Sequence, residues 1–129
     1  MSAWRRRAIE AFPELAPELN RPDASLYVLF AELLPRLREA HQSGDDAALD
    51  AIYGFAAWCF RQRGGDVSNA AGVGFYEHLF DSHPRIWADV LRRLDPATIR
   101  AVMPLWEALL RPDTLERVRP LIEQRLRVG

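Results

Sequence analysis

Lysine is absent from this 129-residue chain, and it holds one cysteine and three histidines. A lone Cys59 excludes an internal disulfide framework. It lies in the apolar run Ala56-Ala57-Trp58-Cys59-Phe60. That is close to the end of a candidate helix, where the dipole opposes a thiolate, so a buried, inert thiol is expected. The histidines form no HExxH pair: His78 and His83 are five apart and His41 stands alone. No metal site and no cofactor are therefore expected. G-x-S-x-G elbows and glycine-rich phosphate loops are missing too, and Gly64-Gly65 leads into Asp66, an acid where an anion would have to sit. The chain lacks Asn-Gly and Asp-Gly hairpin turns and any clean alternating run, which argues against β structure.

Charge of one sign is also missing. The formal net charge is −1 with pI near 6.3, so no bulk field draws the chain to nucleic acid or to an anionic membrane. No stretch of about 18 apolar residues is free of charge, which argues against a membrane-spanning helix. Trp4-Arg5-Arg6-Arg7 runs into Ala8-Ile9-Glu10-Ala11-Phe12-Pro13 rather than an apolar leader segment. A secretory leader is not expected, and the cytoplasm is the expected compartment. That all 17 basic residues are Arg, beside abundant Ala, Leu and Pro, points to a GC-rich, bacterial genome.

What is present is helical periodicity. Hydrophobic residues make up 49% and charged residues 27%, enough apolar material for one core. An all-α bundle of five to seven short helices is expected over a single domain, 1–129. Residues 1–22 form a short helix and a Pro-rich connector, and 23–129 the main bundle. Leu26, Leu29, Phe30, Leu33 and Leu37 stripe a first long helix near 25–42, with Pro35 inside it and Gly44 at its left-handed end. Asp45-Asp46 opens a second helix, and Gly64-Gly65 stops it. A third is expected over 66–80, central because Gly72 and Gly74 would admit neighbouring backbones on two sides. His83-Pro84 and Asp95-Pro96 read as N-cap plus Pro at N1, and Asp113 as the cap of the last helix. Thr98 to Glu107 can be laid over Thr114 to Glu123, with Thr, Val, Pro, Leu and Glu in register. Two readings stand: a solenoid-like stacked pair, or two amphipathic helices sharing a kinking Pro.

Candidate functional residues gather in the third helix. On a continuous helix Asn69, Val73 and Glu77 share one face, and His78 follows. A polar strip on a central helix needs partners or a ligand; the competing reading is a helix cap and an Arg-paired carboxylate. Trp58, Trp87 and Trp106 fall on apolar faces and are expected in the core. Trp4, beside three arginines, is the candidate exposed aromatic anchor.

The segment Asp66-Val67-Ser68-Asn69-Ala70-Ala71-Gly72-Val73-Gly74-Phe75-Tyr76-Glu77-His78-Leu79 resembles the central Asn-x-x-x-Val-x-Phe-x-Glu-x-Leu motif of a family of short, all-helical, uncharacterised bacterial proteins, a domain of unknown function. Phe12-Pro13-Glu14-Leu15 is similar to its N-terminal signature. The resemblance implies a small stand-alone helical protein, some relatives being immunity-type partners of toxins. It singles out Asn69, Val73, Phe75 and Glu77 without assigning them roles. The expected function is a non-enzymatic module whose partner is another protein; homo-oligomerisation is left open. The alternative is a small-ligand-binding or enzymatic domain using the polar strip Asn69, Glu77 and His78.

Overall fold

The computed structural model describes residues 1–128. Among them are eight α-helices, three 3-10 segments and no strand, so the chain is all-α as its periodicity implied. Residues 1–75 make one compact unit and the chain from residue 76 onward a second.

The first unit holds α1 (Ala3–Ala11), a 3-10 turn (Pro13–Leu15), α2 (Ala16–Leu19), α3 (Leu26–Ser43), α4 (Asp46–Phe60) and α5 (Asp66–Gly74). The four-residue α2 takes the helix count beyond seven; it is the single turn that fits between Pro13, Pro17 and Pro22. In α3 the stripe Leu26, Leu29, Phe30, Leu33 and Leu37 is buried, with Leu34 and Ala40 beside it. Pro35 removes one N–H from the helix ladder, but Pro35 and Ala31, whose carbonyl loses its donor, both face solvent, so water can replace the bond. Gly44 ends α3 at φ 71°, ψ 32°, the left-handed C′ conformation. Asp45 then caps α4 by accepting from the Ala48 N–H at 3.1 Å. Gly64 and Gly65, both at positive φ, turn the chain into α5.

α4 packs on α1, α3 and α5. The core runs through an aromatic chain: Phe12 on Phe55 at 5.8 Å, Phe55 on Phe30 at 5.6 Å, Phe30 on Phe75 at 5.5 Å, and Phe75 on Tyr53 at 5.8 Å. Such offset and edge contacts add about 0.5–1.5 kcal/mol each beyond area burial.

The second unit begins with a 3-10 segment (Tyr76–Asp81) and a 3-10 turn (Pro84–Ile86). It continues through α6 (Trp87–Arg92), α7 (Pro96–Leu109) and α8 (Pro112–Val128). His83 caps as expected, its Nδ1 accepting from the Arg85 N–H at 3.1 Å. Asp95 caps α7 through the Thr98 N–H at 3.2 Å. The last helix starts one residue earlier than Asp113: Pro112 occupies its first turn, and Asp113 pairs instead with Arg111 at 3.4 Å. α8 packs on α6 and α7. Arg125 ties it to the C-terminal end of α6 by donating from Nε to the Leu91 carbonyl (3.1 Å), which also accepts from the Leu94 N–H, and from Nη2 to the Leu94 carbonyl (2.9 Å). Within α7 and α8 the equivalent positions Val102 and Val118, and Trp106 and Ile122, are all buried.

The expected helix over 66–80 is not continuous. α5 stops at Gly74, and Phe75 leaves helical geometry at φ −124°, ψ −68° before the chain resumes as a 3-10 segment. Two glycines weaken the helix there. Phe75, fully buried between Phe30 and Tyr53, holds the turned backbone in place. Gly74 does approach α3, but through side chains: a Cβ on it would lie 3.6 Å from Phe30 and Tyr27, an ordinary contact.

Candidate functional site

The break at Phe75 divides the expected polar strip. Asn69 belongs to α5 in the first unit, while Glu77 and His78 belong to the 3-10 segment of the second; the shared helix face between Asn69 and Glu77 does not form. Asn69 is exposed and donates from Nδ2 to the Tyr27 hydroxyl at 2.9 Å. Helix capping is not its role. His78 pairs with Asp81, Nδ1 to Oδ2 at 2.8 Å. Glu77 is partly exposed and has no hydrogen-bond or ion-pair partner among the described residues, so the Arg pairing weighed for it is not found. Among the described residues no three His, Cys, Asp or Glu side chains cluster as a metal would require.

Trp4 is partly buried rather than fully exposed, with the Arg5 guanidinium 5.5 Å from its ring centre. Arg5 also donates to the carbonyl oxygens of Pro22 and Ala24, each at 3.2 Å, so it braces the connector. Trp87 and Trp106 are core residues, their indole N–H groups donating to Ser82 and Tyr76 carbonyls at 3.0 and 2.8 Å. Trp58 is only partly buried and sits under Arg7 at 5.4 Å. Cys59 is fully buried, and burial pushes its thiol up to about 12, with Arg7 opposing the shift. A thiol so placed stays protonated at neutral pH.

Three groups escaped the sequence reading. His41 Nε2 meets the buried Tyr53 hydroxyl at 2.8 Å, so His41 does not stand alone; two residues on different helices gave no spacing signal. Tyr27 and Val28, on the first turn of α3, are 47% and 65% exposed while Leu26, Leu29 and Phe30 around them are buried. The turn was legible as amphipathic, but an exposed Tyr-Val pair draws attention only when its surroundings are known. Below Val28 lies a shallow notch of about 60 Å³, lined by Leu15, Leu19, Leu29 and Val28 with Glu18 and Glu32 at its edge. Tyr27, Asn69, Val28 and this notch belong to the first unit: Tyr27 is joined to Asn69 by a hydrogen bond, and Val28, next in sequence, lines the notch.

That surface has apolar area and orienting polar groups but no acid–base pair at reacting distance and no enclosed cavity. Ligand pockets usually enclose about 300–1,000 Å³. The notch is far below that range.

No curated protein and no solved structure matches the chain. A family model matches residues 5–110, taking in both Phe12–Leu15 and the segment from Asp66 to Leu79 but leaving out Trp4. The chain belongs to the family described as "Domain of unknown function (DUF7674)".

Proposed function

We propose that this chain is a non-enzymatic module of the bacterial cytoplasm that binds another protein, of the immunity type that neutralises a toxin by covering its surface. The observation that carries the reading is the exposed Tyr27-Val28 pair, held at the end of a buried stripe and braced by Asn69. Tyrosine is enriched at binding hot spots because it offers a large, rigid contact with a polar tip. The Asn69 hydrogen bond fixes the Tyr27 ring before binding, which lowers the ordering cost of association. The buried, shielded Cys59 fits the same reading.

The test is affinity capture from the native host with the wild-type chain and a Tyr27→Ala/Val28→Glu variant. The wild type is expected to retain one stoichiometric protein, and co-expression should relieve that protein's toxicity. The variant is expected to lose at least about 30-fold in affinity, the effect of roughly 2 kcal/mol from a hot spot, with an unchanged circular dichroism spectrum. Failure to retain any stoichiometric protein, or full retention by the variant, overturns the reading.

The second reading, a small-ligand or enzymatic site, is favoured by one observation: unpaired Glu77 stands next to the His78–Asp81 pair. Replacing Glu77 by Gln should then abolish metabolite binding in a thermal-shift panel without changing the melting temperature of the free protein.

A further inference from the structure

The notch beneath Val28 has features that select its occupant. Its floor, Leu15, Leu19 and Leu29, is at most 4% exposed, so it is firm and apolar. Its volume of about 60 Å³ corresponds to roughly four water-sized spheres, room for one branched aliphatic side chain on the leucine floor.

Its edge is acidic. Glu18 comes from α2 and Glu32 from α3, one helical turn beyond Val28 and on the same face. Glu18 has no ion-pair partner among the described residues. Glu32 shares Arg36 with Glu14, at 3.7 Å and 3.1 Å. Of the nearby cations, the Arg5 guanidinium is engaged with the Pro22 and Ala24 carbonyls and Arg21 pairs with Asp23 at 3.3 Å. Glu14 and Glu32 thus share one guanidinium, and Glu18, without an ion pair, lines the notch beside its apolar floor. A phosphate or an acidic segment would meet repulsion there.

We infer that the notch receives one Leu, Ile or Val side chain from a basic segment of a partner protein, with Arg or Lys flanking it to meet Glu18 and Glu32. The inference rests on the protein-binding reading and specifies the chemistry of its partner. The aliphatic side chain supplies desolvated contact, and the flanking cations set orientation and speed encounter. Exposed ion pairs of this kind add little affinity alone, so both elements are needed.

A library of random 12-residue peptides displayed on phage, selected on the intact chain at low salt, tests this directly. Selected sequences are expected to carry an aliphatic residue with Arg or Lys within four positions. Synthetic versions should bind at least tenfold more weakly to Val28→Glu and several-fold more weakly to Glu18→Gln/Glu32→Gln, with the salt dependence lost in the latter. Both changes fall on exposed groups, and circular dichroism checks that each variant is folded. Acidic or uncharged selected sequences, or peptides held equally by Val28→Glu, overturn the inference while leaving a protein-binding role intact. A library that yields no binder, together with a failed capture from the host, overturns both.

Discussion

Cys59 illustrates how far one side chain's surroundings determine its chemistry. The free thiol ionises near 9.0, and burial in the folded chain pushes that to about 12 against the pull of Arg7. The folded state therefore keeps its proton where the unfolded state has lost it. By linkage this contribution to stability is complete below pH 9 and is lost progressively as pH rises from about 9 toward 12. Cys59 is expected to resist a thiol-alkylating reagent at pH 8 until the chain is unfolded in guanidinium; rapid labelling of the native protein would contradict its placement in the core. Glycine gives a second residue-scale contrast. Gly54 lies within α4, is exposed, and an added Cβ meets nothing within 4 Å. Gly54→Ala is expected to raise stability by about 1 kcal/mol in urea unfolding. Gly44, at φ 71°, has equally open surroundings, yet Gly44→Ala is expected to lose about 1 kcal/mol because its backbone is left-handed. The sign of the change follows φ, not space.

At the scale of elements, signals carried by neighbours in sequence were legible and those carried across space were not. The stripe of α3, the Gly44 stop and the caps at Asp45, His83 and Asp95 are all local, and all are found. The interior prolines 35, 104 and 120 did not end their helices because each lies on an exposed face with an exposed residue four positions before it. The break after Gly74 is different. Gly72 and Gly74 were read as close-packing positions inside one helix, whereas Phe75 is drawn between Phe30 and Tyr53, a tertiary demand that local pattern cannot reveal. With that break the strip joining Asn69 to Glu77 vanished, while the partner of Asn69, Tyr27, lay 42 residues away in sequence. The proposed binding surface was therefore legible only as one of its members, Asn69. Because an alanine methyl at 74 makes ordinary 3.6 Å contacts, Gly74→Ala is expected to be neutral or to stabilise by up to about 1 kcal/mol. A loss above about 2 kcal/mol in chemical denaturation would restore the close-packing reading.

For the whole molecule the question is whether the two compact units unfold as one. The second has about 54 residues, and below roughly 70–80 residues a single core rarely supplies more than 3–5 kcal/mol without disulfides or metal. Its only covalent continuity with the first is the peptide chain at 75–76, and the lone cysteine lies in the first unit. The family match from 5 to 110 runs across that junction, so family membership does not separate the units either. We expect one cooperative transition over 1–129, in keeping with a single domain. The tryptophans report it without added labels, because Trp4 and Trp58 lie in the first unit and Trp87 and Trp106 in the second. A chain retaining only Trp58 and one retaining only Trp106 should each be unfolded in urea, with far-ultraviolet circular dichroism as the common reference. Trp106 is fully buried and donates to the Tyr76 carbonyl, so its environment changes sharply on unfolding. Fluorescence midpoints that coincide with each chain's own circular dichroism midpoint establish one transition. If Trp106 moves at a lower urea concentration than circular dichroism while Trp58 follows later, residues from 76 onward unfold independently, and the chain is two domains joined at Phe75.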